Sequence, residues 1–133
     1  MSDPTVVIRF DGNGRVYRPH EVLAGEYWLP SLPACGVKAI EVSVLWYTEG
    51  KGDEDFAVHE FWRRDVEAGN PLDPGQPARF QTILPNSPLS YEGQIVKLRW
   101  CVRVRAFLHR GKEVLGEKTF RLGDVPPPKA LTP

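Results

Sequence analysis

Two cysteines and three histidines in 133 residues leave little material for metal or nucleophile chemistry. Cys35 and Cys101 lie far apart and make no metal-ligand pair. His20, His59 and His109 fall on different predicted elements, none beside a serine or cysteine in a nucleophile motif. No glycine-rich phosphate loop leads into a helix. The expectation is a non-enzymatic protein with no cofactor and no metal site; a catalytic triad assembled in space stays open as a minor alternative. Net charge is missing too: 17 basic and 17 acidic residues cancel. That excludes bulk electrostatic affinity for nucleic acid or an anionic membrane, so charge-driven binding must be local. No apolar run approaches a membrane span, and Met1-Ser2-Asp3-Pro4 opens no basic region followed by an apolar stretch. Since Cys101 falls on the charged face of a strand, it reads as a free thiol rather than half of a bridge, which implies a reducing compartment. These absences together predict a cytoplasmic protein with no integral membrane segment.

What is present is alternation. From Val96 to Leu108 the even positions Val96, Leu98, Trp100, Val102, Val104, Ala106 and Leu108 are apolar, while Lys97, Arg99, Arg103 and Arg105 occupy odd ones. Side chains alternate faces along a strand, so one face enters a core and the other carries a row of cations. Similar, shorter patterns predict strands over Thr5–Phe10, from Arg15, over Glu21–Leu29, Val37–Thr48, Phe56–Val66, Ala78–Leu84 and Val114–Leu122. The fifth alternates imperfectly, which predicts a bulge. Asp11-Gly12-Asn13-Gly14 predicts a hairpin turn between the first two strands; as a calcium loop it lacks the later acidic ligand and the flanking helices. The segment from Asp65 to Gln76, with Gly69-Asn70-Pro71 and Asp73-Pro74-Gly75, is turn chemistry that cannot sustain a helix. No useful amphipathic helix and no repeat appears. About eight antiparallel strands with turn-rich connections describe an immunoglobulin-like β-sandwich. One domain spans 1–124, and Val125-Pro126-Pro127-Pro128 begins a stiff proline-rich tail or linker over 125–133.

The candidate partner-binding residues are Lys97, Arg99, Arg103 and Arg105, which line one strand face over roughly 27 Å at about 3.4 Å per residue. Pairing with acids on neighbouring strands, such as Glu41, Glu60 and Glu117, competes with recognition of acidic peptides, phosphorylated segments or lipid head groups. The balanced formal charge favours pairing. Asp53, Glu54 and Asp55 form the densest acidic cluster, read as a solvated loop rather than a cation site. Trp46 and Trp100 are expected inside, and an exposed Trp28 or Trp62 beside a tyrosine would make a peptide or carbohydrate platform.

Leu84-Pro85, then Leu89-Ser90-Tyr91-Glu92-Gly93, then an alternating strand bearing Trp100 resembles the arrestin-like superfamily, as do Tyr17, Pro19, Glu21 and Gly25 earlier in the chain. That superfamily includes arrestins, α-arrestins, the retromer arrestin-like subunit and bacterial sporulation-control proteins. The resemblance implies a single lobe like the amino-terminal one of arrestins. It implies an adaptor or scaffold that binds a protein or peptide partner, acidic if the cations take part, through a strand edge. The alternative is self-assembly, a homodimer rebuilding the two-lobe arrangement. His20 stands where the family often has glycine, and the loop from Asp65 to Gln76 replaces the short helix of arrestins proper. Receptor-type activation is therefore not implied.

Overall fold

The computed structural model describes residues 4–12, 15–32, 36–52, 54–66 and 73–123. Nine strands are found among them: β1 (Val7–Phe10), β2 (Val16–Tyr17), β3 (Val22–Trp28), β4 (Val37–Gly50), β5 (Phe56–Asp65), β6 (Ala78–Ile83), β7 (Tyr91–Glu92), β8 (Val96–Leu108) and β9 (Glu113–Leu122). The one helical element among the described residues is a 3-10 turn, His109–Gly111, joining β8 to β9. The strands form two sheets, one ordered β1-β3-β6 and the other β2-β9-β8-β4-β5, with β7 added beside β8. β8 is 13 residues long and central, paired antiparallel with β4 on one edge and β9 on the other.

The alternation of β8 does what its pattern requires. Trp100, Val102, Val104 and Ala106 are buried between the sheets with Ile40, Val42 and Val44 of β4, facing Leu23, Tyr27 and Phe80 from the smaller sheet. Each of the larger aliphatic side chains contributes about 1.5–3 kcal/mol by leaving water. Trp100 joins an aromatic cluster centred on Phe120, its ring 5.9 Å from Phe120 and 6.1 Å from His59, and its indole N–H donates to Pro88 O at 2.8 Å. That bond satisfies the polar end of an otherwise buried ring.

The lead-in to β8 is tied down by backbone chemistry. Ser90 is buried; its N–H donates to Leu122 O at 2.8 Å, and its Oγ accepts from the Leu122 N–H at 2.8 Å. Gly93 cannot be replaced without conflict, because a Cβ there would strike the Tyr91 ring and the Val96 carbonyl. Gly25 is constrained in the same way: β1 crosses so close that a Cβ would strike Arg9 O. His20 has φ 69°, so this histidine adopts the left-handed backbone that glycine favours.

Three details depart from the expected arrangement. The first two strands do not pair as a hairpin: β1 pairs with β3, while β2 crosses to the other sheet and runs parallel to β9. The Asp-Gly-Asn-Gly segment, whose Asn13 and Gly14 lie outside the described residues, therefore connects sheets rather than strands of one sheet. Second, β7 is an additional two-residue strand paired with Leu98 and Lys97. Third, the charged face of β8 is not continuously open, since Cys101 is fully buried among its cations. The bulge expected in the fifth strand is present: the register with β4 shifts between Val44 and Leu45, leaving His59 as the extra residue of β5. Cys35, Asp53, residues 67–72 and the tail from 124 lie outside the described residues.

Candidate functional site

The cationic row projects from the outer face of the larger sheet, and most of it is already partnered. Arg103 Nε donates to Glu117 Oε1 at 2.7 Å, across the in-register pair of β8 and β9. Arg99 approaches Glu49 at 3.4 Å and Glu92 at 3.5 Å, and Lys97 lies 3.8 Å from Glu92. Arg105 has no carboxylate in ion-pair range among the described residues. Its register partner Glu41 is taken by Arg63 of β5 at 2.7 Å. Pairing thus operates as expected through Glu117, but the other acids differ. Glu49 and Glu92 replace Glu41 and Glu60, because Glu41 lies between β5 and β8 and Arg63 captures it, while Glu60 turns inward beside Thr82.

Cys101 is buried beside Leu45 and Thr119 in register, a free thiol whose burial pushes its pKa up to about 11, with Glu117 adding to the rise and Arg103 opposing it. Such a thiol is not a nucleophile at neutral pH. His59 is also structural: its Nε2 lies 2.8 Å from Ile83 O, bridging β5 to the edge of the other sheet. Glu54 and Asp55 of the acidic loop are exposed, and Asp55 caps the start of β5 through Oδ1, which accepts from the Phe56 N–H at 2.9 Å. Among the described residues no group of three or more His, Cys, Asp or Glu side chains is placed to hold a metal ion.

A second constellation lies at the open side of the sandwich. β5 is the last strand of its sheet and β6 the last of the other. His59 to Ile83, and Thr82 Oγ1 to Glu60 Oε1 at 3.3 Å, clasp the two strands at one end. Toward the other end the sheets part over a groove of about 590 Å³, lined by Tyr27, Trp62, Phe80, Arg63, Arg64 and Arg79 among others, with no carboxylate in its walls. Arg79 is held by Asp11 at 2.5 Å and Arg63 by Glu41 and Asp65, both from outside the groove, while Arg64 has no carboxylate in range among the described residues. Trp62 is partly buried against the core, beside Tyr27, whose phenol burial holds above its ordinary pKa, with Arg64 opposing. The groove brings together residues that are far apart in the chain. Its one sequence signal was Trp62 followed by Arg63-Arg64 on an interrupted strand.

This geometry can be set beside known proteins. In sequence, the chain matches no family model and no curated protein. In structure it superposes on Spo0M, a sporulation control protein from Bacillus subtilis, with a TM-score of 0.65 and 13% identity over 94% of this chain. The fold is arrestin-like. This chain spans 51% of the Spo0M chain, about half its length. A superoxide reductase (neelaredoxin) from Ignicoccus hospitalis also superposes, at TM-score 0.55 and 12% identity, over 90% of this chain and 80% of that one. A single-substitution variant of the same reductase gives 0.57 at 12% identity, over 90% of this chain and 81% of the variant. At these identities the likeness is one of fold, shared by a sporulation control protein and a reductase, so the architecture does not select an activity. No helix among the described residues is long and apolar enough to cross a membrane.

Proposed function

We propose that the protein is a non-enzymatic binding or adaptor module that takes an extended, acidic segment of a protein partner along the free edge of β5. The observation that carries this reading is the coincidence, among the described residues, of a strand edge with no pairing strand and an aromatic and arginine-lined groove free of carboxylates. Main-chain hydrogen bonds to the edge would supply affinity, and the alternate side chains of the added strand would enter the groove or face outward. Arg64 and Trp62 are the residues best placed to choose the partner, since aromatic and arginine side chains dominate such contacts. The outer row of Lys97, Arg99, Arg103 and Arg105 plays a lesser part: a partner must compete there with Glu117, Glu49 and Glu92, leaving Arg105 the most available member.

The test is a panel of capped octapeptides alternating valine with glutamate, serine or lysine, titrated against the protein by fluorescence anisotropy. The glutamate series is expected to bind most tightly and to weaken as salt rises. A folded Arg63→Glu/Arg64→Glu variant should lose tenfold or more in affinity, by the magnitude of close charge reversals. Equal binding of all three series, or unchanged binding by that variant, would refute the reading. Self-association is the second reading, favoured by Phe56, Val58 and Phe61, which are 68%, 49% and 51% exposed on the same edge strand. A monomer by light scattering at high concentration would exclude it.

A further inference from the structure

The free edge of β5 exposes a defined set of backbone groups. The Val66 N–H donates to Lys38 O at 2.9 Å, continuing the register that pairs Asp65 with Ala39. By the alternation of an antiparallel ladder, Glu60, Trp62 and Arg64 also turn their backbone groups toward β4, so those of Phe61, Arg63 and Asp65 face away from it. β5 is the last strand of its sheet among the described residues, and nothing in the sheet takes them up. The extra residue His59 breaks the period, which confines a regular added ladder to residues 60–65. Over that stretch Glu60, Trp62 and Arg64 share the inner face with their register partners Val44, Val42 and Ile40, while Phe61 and Arg63 lie on the outer one.

Two of the inner side chains each lack what the other offers. Arg64 hydrogen-bonds the Tyr27 phenol, but it has no carboxylate in range among the described residues, and the groove it lines has none in its walls. Glu60 accepts from Thr82 Oγ1 at 3.3 Å and has no cation in ion-pair range among the described residues, since Arg63 is held by Glu41 and Asp65 on the other face. Four residues apart on one strand, Glu60 and Arg64 are separated by roughly 13 Å at about 3.4 Å per residue and cannot meet within one chain. A second copy of β5, laid antiparallel along the edge, can bring them together. The outward backbone groups allow a two-fold axis at Phe61, Trp62 or Arg63. An axis at Phe61 sets Glu60 against Trp62, and one at Arg63 sets two arginines directly opposite each other, which is unfavourable. An axis at Trp62 joins Phe61 to Arg63 by hydrogen bonds in both directions and brings the two Trp62 side chains side by side. It also sets Glu60 of each copy against Arg64 of the other, twice by symmetry.

We propose that the protein forms a two-fold dimer by antiparallel pairing of β5 with β5 of a second copy, centred on Trp62 and selected by reciprocal Glu60 to Arg64 ion pairs. This rests on the premise of the proposed function, an edge open to an added strand, and names the protein's own β5 as one such strand; a partner's acidic segment competes with it. Sedimentation equilibrium of the purified chain from micromolar to millimolar concentration tests it. The wild-type chain should dimerise. Glu60→Arg and Arg64→Glu should each raise the dimer dissociation constant about tenfold or more, by the magnitude of close charge reversals, and the double exchange should return it to within about threefold of wild type. The Phe61 and Arg63 amides should gain hydrogen-exchange protection as concentration rises. A wild-type monomer at millimolar concentration would overturn the proposal, as would a dimer indifferent to the single reversals or not restored by the exchange. Should the variants not fold, protection at Phe61 and Arg63 that does not change with concentration would do the same. The glutamate octapeptide, titrated at low micromolar protein, separates this pairing from the proposed function. Octapeptide binding by a chain that is monomeric throughout removes the dimer alone, and a dimer restored by the exchange that binds no octapeptide removes the acidic partner alone.

Discussion

Removing one oxygen atom, by Ser90→Ala, tests how the lead-in to β8 is fastened. Ser90 is 4% exposed and meets Leu122 twice, through its own N–H to Leu122 O and through Oγ to the Leu122 N–H, each at 2.8 Å. Alanine keeps the first bond and deletes the second, leaving the Leu122 N–H facing a methyl group. The loss combines a net hydrogen bond of roughly 1 kcal/mol with an unsatisfied buried donor costing about 1–3 kcal/mol, partly the same quantity, so about 2 kcal/mol is expected in all. At roughly 3 °C per kcal/mol for a domain of this size, the thermal midpoint should fall by about 6 °C. Urea unfolding gives the free energy, and native-state hydrogen exchange gives the place. The Leu122 amide should lose protection selectively while the Ser90 amide, whose acceptor is intact, should keep most of its own. A destabilisation below about 0.5 kcal/mol, or equal loss of protection at both amides, would mean that Ser90 is not the fastener.

Three further outcomes follow from particular contacts. Since the Cys101 thiol ionises at about 11 when folded against an ordinary 9.0, the native state holds its proton where the unfolded chain has lost it; stability should therefore fall between about pH 9 and pH 11. Cys101→Val should remove that component, and an unchanged alkaline loss in the variant would show that the thiol is not its source. Double-mutant analysis of Arg103→Gln and Glu117→Gln should return a coupling of about 0.5–1 kcal/mol that shrinks in high salt, because the pair is well aligned but a third exposed; zero coupling at low salt would indicate that Arg103 is free to serve a partner. His59→Ala should open the clasp between β5 and β6, raising exchange of the β6 amides near Ile83 before those of β8, whereas uniform loss across both sheets would assign His59 to the core through its edge-on contact with Trp100.

The inner half of the sandwich was legible because a period of two is a strong signal wherever one face is buried. Each even position from Trp100 to Ala106 enters the core, as the alternation of β8 requires. Pairing was less legible, for a physical reason. A turn sequence such as Asp11-Gly12 specifies that the chain reverses, not which sheet receives it, and the crossing of β2 to β9 is decided by burial of Tyr17 with Phe120 rather than by local preference. Side-chain pairing of the outer cations was predictable in kind but not in identity, because Glu41 lies between two arginine-bearing strands and only the register shows which one it meets.

The groove escaped sequence reasoning for a deeper version of the same cause. It arises where strand pairing stops, at the last strands of the two sheets. Ladder hydrogen bonds neutralise the backbone everywhere else, and acids on neighbouring strands neutralise Lys97, Arg99 and Arg103, so the interior of each sheet offers a partner little that is unsatisfied. At the terminations the balance fails locally although the chain as a whole carries no net charge. Arg64 sits at such a termination with no carboxylate in range among the described residues, while Arg105, the comparable cation in mid-sheet, is half-buried among its neighbours. Recognition by this sandwich is therefore expected at its seams. A comparison of Arg64→Gln with Arg105→Gln makes that concrete: the first should weaken acidic octapeptides, and the second should not do so by more than about twofold, within the range of a surface charge. Loss of octapeptide binding in Arg105→Gln alone would return the site to the strand face.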